Sequence, residues 1–95
     1  MPESTVTRDT TPRLSAMFRF QWEEAQGCHV LLYPEGMVKL SGSAGEILQL
    51  VDGKNSVGDI IDALKQKFPG APLDNDVINF LEAAYGHGWL RSVTA

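Results

Sequence analysis

Few residues in this chain could do chemistry. The candidates are Cys28, His29 and His87, with closely spaced glycines at Gly42/Gly45 and Gly86/Gly88. Nucleophilic catalysis would need Cys28 beside a base. Its neighbour His29 lies in the same strand-like run, and alternation along a strand sends adjacent side chains to opposite faces. Neither histidine has a second histidine, a cysteine or a carboxylate at a recognised ligand spacing, so no intrinsic metal or organic cofactor is expected. Gly42 and Gly45 lack the lysine of a phosphate-cradling loop, and Gly86 and Gly88 come at the end of a helical pattern rather than its start. No catalytic activity is expected. Cys28 is the single cysteine, so it has no intrachain disulfide partner and reads as a buried, inert thiol.

The elements that would position any site must come from one small domain of 95 residues. Apolar residues make up 43% and charged residues 21%, an ordinary balance for a globular chain. No apolar run approaches the roughly 18 residues of a membrane span. Residues 1–13 are rich in Ser and Thr and lack the apolar centre of a signal peptide, which places the chain in the cytoplasm as an expectation. The same residues, with almost nothing to bury, read as a flexible tail, leaving 14–95 as the folded domain.

The central feature is a hairpin. His29, Val30, Leu31, Leu32 and Tyr33 form an apolar run rich in strand formers, and Met37, Val38, Lys39 and Leu40 form a second, shorter one. Pro34 and Gly36 between them suit a three-residue loop, with the glycine in the left-handed region. Upstream, Phe18, Phe20 and Trp22 alternate with Arg19 and Gln21 and share one face of another strand. Three antiparallel strands are expected near 16–22, 28–33 and 37–40. Nothing after residue 40 reads as a strand, so the third has a free edge.

Beyond Leu40 the apolar period lengthens to nearly four. Ser43 with Glu46 reads as a capping box, followed by a stripe of Ala44, Ile47, Leu48 and Val51 that Gly53 ends. Ser56 with Asp59 repeats the start signal, and Val57, Ile60, Ile61, Leu64 and Phe68 form the next stripe. Pro69-Gly70 stops it. Asp74 can cap a third helix, with Leu73 and Ile78 as a hydrophobic staple, and Val77, Phe80, Leu81, Ala84 and Tyr85 line its face. Helices are expected near 43–52, 56–68 and 74–86. Strands followed by helices define an α+β chain, and two helices joined by a tight turn suggest a winged helix-turn-helix arrangement with the sheet first.

That arrangement invites a DNA-binding reading, which the charges exclude. A recognition helix presents Arg, Lys, Asn and Gln to bases and phosphates. Here the third helix opens Asp74-Asn75-Asp76, carries no Arg or Lys, and belongs to a chain of net charge −4. What remains is a binding module. The open edge of Met37, Val38, Lys39 and Leu40, beside any uncovered part of the third helix, would form a groove suited to an extended peptide. A homodimer pairing through the same edge is the competing expectation.

The run His29-Val-Leu-Leu-Tyr-Pro-Glu-Gly-Met-Val, then Leu40, Ser43-Ala44, Glu46-Ile47-Leu48, Asp52-Gly53 and Gly88-Trp89-Leu90, resembles the PqqD family of pyrroloquinoline quinone (PQQ) biosynthesis. The resemblance runs from about Leu14 to Val93. It departs at Ser41, where the family usually has Asn. The resemblance implies a peptide-recognition domain of ribosomal peptide modification, similar to a winged helix-turn-helix. Such a domain binds the precursor peptide PqqA and presents it to the radical S-adenosylmethionine enzyme PqqE, which cross-links a Glu and a Tyr. The peptide is expected as an added strand beside Met37, Val38, Lys39 and Leu40, against a helix face carrying Asp76, Val77, Phe80, Leu81, Ala84 and Tyr85.

Overall fold

The computed structural model describes residues 6–93. Five strands and three helices run in the order β1 (Pro12–Leu14), β2 (Arg19–Glu23), β3 (Cys28–Tyr33), β4 (Gly36–Lys39), α1 (Gly42–Leu48), α2 (Val57–Lys67), α3 (Asp74–Gly86) and β5 (Leu90–Ser92). One antiparallel sheet has the order β2-β3-β4, and a separate two-stranded ribbon joins β1 to β5. The three-stranded meander, the three helices and the α+β class are those expected from the sequence.

Alternation along the hairpin decides what the sheet offers the helices. Phe20 pairs with Leu31, and Leu31 with Val38, so these three share a face. Leu31 on that face is fully buried with Leu40, Ile47, Leu48, Ile60, Ile61, Leu64, Val77, Leu81 and Ala84 in a single core. The helical stripes read from the sequence supply most of it. Phe68 is the exception: α2 ends at Lys67, and the ring is left 43% exposed.

Helix α1 lies close to the sheet because Gly45 has no side chain. A Cβ there would stand 2.9 Å from Nδ1 of His29 and 3.4 Å from its Cβ and Cγ. The His29 ring cannot swing away freely. It stacks on Phe20 at 4.8 Å, meets Trp22 edge-on at 5.1 Å, and lies 3.3 Å from Gln49 through Nε2. Alanine would gain up to about 1 kcal/mol in helix propensity, but overpacking costs about 1–3 kcal/mol. Gly45→Ala is therefore expected to lower the melting temperature. The loss should shrink or reverse in a His29→Ala background, as a double-mutant cycle followed by circular dichroism would show.

Several local expectations need correction. Tyr33 pairs directly with Gly36, so the hairpin loop is Pro34-Glu35 alone and Gly36 opens the strand. The strand expected at 16–22 begins only at Arg19, after a turn at Ala16-Met17 where Phe18 N–H donates to Ser15 O. Ser41, not Ser43, caps α1: its Oγ accepts from the Ala44 N–H at 3.1 Å, while Glu46 is drawn to Lys67 Nζ at 2.6 Å. The helix ends at Leu48, well before Gly53, and Leu50 and Val51 donate to carbonyls only three residues back. The Ser56/Asp59 capping box forms as read. At α3, Leu73 holds the cap position with no side-chain bond. Asp74 instead pairs with Lys65 at 2.7 Å and Arg8 at 3.4 Å, and the Lys65 hydrogen bond holds its carboxyl below the usual range.

Two corrections are larger. Residues 1–5 of the expected tail lie outside the described residues, but 6–13 are packed. Val6 and Pro12 are buried, the Arg8 and Thr10 carbonyls accept from Gly58 and Val57 at the start of α2, and residues 12–14 form β1. A strand also follows the helices. β5 pairs with β1 rather than with β4, so the free edge expected of the hairpin is not covered by it.

Candidate functional site

The edge of β4 has a definite polarity. Leu40 N–H donates to His29 O at 3.0 Å. In an antiparallel ladder the bonded residues alternate, so Val38 and Leu40 turn their N–H and C=O groups inward to β3. Met37 and Lys39 therefore turn theirs outward. Among the described residues no strand pairs with that side. Two donors and two acceptors, two residues apart, are thus set for an incoming extended segment. Side chains follow the opposite division: Val38 lies over the core with Leu31, while Met37 and Lys39 project from the other face.

An open cleft of about 660 Å³ lies among the three helices. The first turns of α1 supply Gly42, Ser43, Glu46 and Ile47, and the end of α2 supplies Leu64 and Phe68. Ala71 and Leu73 come from the connection to α3, and Asp76, Val77 and Phe80 from α3 itself. The lining is mostly apolar. The Lys67–Glu46 ion pair ties α2 to α1 nearby, and Asp76 makes no ion pair among the described residues.

The structure separates the α3 residues singled out in the sequence. Asp76 and Phe80 meet in the cleft, with Val77, a core residue, at its floor. Leu81 and Ala84 are fully buried, which corrects the expectation that they line an accessible groove. Tyr85 is half-buried, and its hydroxyl lies 2.8 Å from Ser92 Oγ on β5; burial pushes its pKa up. On β4, Met37 and Lys39 present the open edge and Val38 packs inward, while Leu40, just past the strand, is core. The walls from α1 and α2 went unread in the sequence. The one signal was Phe68, an apolar residue left beyond its helix just before Pro69-Gly70.

Among the described residues there is no group of three or more His, Cys, Asp or Glu side chains able to hold a metal ion, and no helix long and apolar enough to cross a membrane. A free strand edge and an apolar cleft among the helices, on an α+β scaffold, are the features of a binding domain. The family model described as Coenzyme PQQ synthesis protein D (PqqD) matches residues 28–90, and the chain belongs to that family. Proteins named PqqA binding protein from Pseudomonas aeruginosa strain PAO1 and Azotobacter vinelandii are 57% and 51% identical over 89 residues. Each alignment covers 93% of this chain and 97% of the relative. The solution structure of the PqqD truncation of Methylobacterium extorquens PqqCD, described as a functional, stand-alone recognition element for ribosomally synthesized and post-translationally modified peptides, matches with a TM-score of 0.76. It is 32% identical, with 95% of this chain and 99% of that one covered.

Proposed function

We propose that the chain binds the precursor peptide PqqA as an added strand on β4 and presents it to the radical S-adenosylmethionine enzyme PqqE during PQQ biosynthesis. It acts as a binding domain without a catalytic step of its own, in the cytoplasm. The observation that carries this reading is the outward pair of backbone groups at Met37 and Lys39, on a chain whose apolar cleft, containing Phe80, has its first wall residue at Gly42 just beyond β4. The names of the related proteins support the peptide's identity.

The energetics require both parts of the site. Each backbone bond contributes about 1 kcal/mol net. Four of them do not offset the roughly 4–15 kcal/mol lost in association and ordering. Apolar side chains of the peptide must therefore enter the cleft, where each methylene buried contributes about 0.8 kcal/mol.

Titration of the isotopically labelled chain with PqqA tests the reading by nuclear magnetic resonance. Amide shifts should be largest at Met37, Lys39 and the cleft face of α3. Changes confined to the β2 edge, or none, would sink it. A homodimer paired through β4 would compete for the same groups, so mass in solution should not double without peptide.

A further inference from the structure

The β1–β5 ribbon carries a charge arrangement that the peptide site does not use. Arg13 and Arg91 are register partners. Ser15 N–H donates to Trp89 O and Val93 N–H to Thr11 O, both at 2.8 Å, which makes Arg13 and Arg91 a bonded pair with their side chains on one face. Like charges directly opposite one another weaken a ladder. Among the described residues neither arginine has a carboxylate partner: the ion pairs there run from Arg8, Lys65 and Lys67, and Arg13 Nη1 reaches only the Leu14 carbonyl, at 3.5 Å. Asp52, beside the Gly53 whose N–H bonds Pro12 O, gives its carboxylate to the Lys54 and Asn55 amides at 2.8 Å.

The two arginines line a pocket of about 340 Å³ with Ser15, Ala16, Met17 and Gly88. Ser15 Oγ donates to Gly88 O at 2.8 Å, so its hydroxyl hydrogen is already used and the guanidiniums are left as the cationic donors. Met17 is 62% exposed and forms an apolar lip beside them, and a Cβ on Gly88 would meet open space.

We propose that this pocket is a docking point for an acidic side chain of the modifying enzyme, separate from the β4 edge; the identity of that partner rests on the function proposed above. A guanidinium fork matches a carboxylate bidentately, and Ala16 and Met17 can cover the methylene stem behind it. A chain of net charge −4 repels extended polyanions at a distance. Two isolated cations on such a chain therefore select a single carboxylate at close range.

The test compares PqqE and PqqA binding to the unaltered chain, to Arg13→Gln, to Arg91→Gln and to the double variant. The double variant should bind PqqE at least about tenfold more weakly, the loss expected for removing a charge-assisted contact. PqqA affinity should not change. Its melting temperature should stay level or rise, because the repulsion is gone, an outcome that a merely structural role for the pair would not give. PqqE binding retained in full by a folded double variant, or by both single variants, would overturn the docking point alone. Failure of the unaltered chain to bind PqqE would overturn the presentation reading along with it.

Discussion

Lys39→Pro is expected to fold and to bind PqqA at least about tenfold more weakly, whereas Val38→Pro is expected not to fold stably. The difference comes from the direction of two adjacent N–H groups. Leu40 N–H reaches His29 O, so the Lys39 N–H faces away from the sheet and the Val38 N–H faces into it. Proline is tolerated on an edge strand where the missing donor would have faced solvent. It also biases the preceding residue toward extended backbone, which Val38 already has. The peptide, however, loses a donor and meets the pyrrolidine ring where its own carbonyl should lie. An unsatisfied carbonyl costs about 1–3 kcal/mol, which is about tenfold or more in affinity. At Val38, proline removes a bond within the β3–β4 ladder and disturbs a side chain packed over Leu31. Lys39→Ala keeps the backbone and should weaken binding only slightly. Calorimetry with the peptide, alongside thermal melts, separates these outcomes. Undiminished affinity in a folded Lys39→Pro chain would remove β4 as the docking edge.

The elements with a period were legible in the sequence, and those without one were not. α2 and α3 each repeat an apolar stripe long enough to fix their type, β3 is fixed by its unbroken run of strand formers before Pro34, and the limits of all three fall within a residue or two of expectation. β1 and β5 have three residues each, too few to show alternation, and they are defined only by pairing across most of the chain. Residues 6–13 look like a tail because they are polar, yet Arg8 and Thr10 contribute carbonyls rather than side chains to the start of α2, which composition does not reveal. The α1 cap turned on a contact between distant residues: Glu46 could have completed a box with Ser43, but Lys67 stands within reach after folding. The open edge could be read because nothing downstream resembled a partner for it. Its polarity could not, since the register with His29 decides which amides point outward.

The second large effect concerns Phe80 and Leu81, neighbours that differ in what they touch. Leu81 is fully buried beside Val77 and Ala84 in the core. Leu81→Ala should cost about 2–5 kcal/mol, from the lost transfer energy and the cavity left behind. Against a total stability of about 5–15 kcal/mol, that leaves a marginal or partly unfolded domain. Phe80, one residue earlier, points into the cleft and is only partly buried by the chain itself. In the proposed complex the peptide would complete the burial of the Phe80 ring. Phe80→Ala should therefore melt close to the unaltered chain. It should lose about 2 kcal/mol of PqqA binding, roughly thirtyfold, as a buried aromatic anchor does at the centre of an interface. Thermal melts and calorimetry on the two variants provide the comparison. The cleft would be excluded as the peptide's apolar subsite if Phe80→Ala bound PqqA with full affinity. If Phe80→Ala instead destabilised the domain as much as Leu81→Ala, Phe80 would belong to the core, and the apolar wall facing the peptide would have to come from the start of α1 and the end of α2.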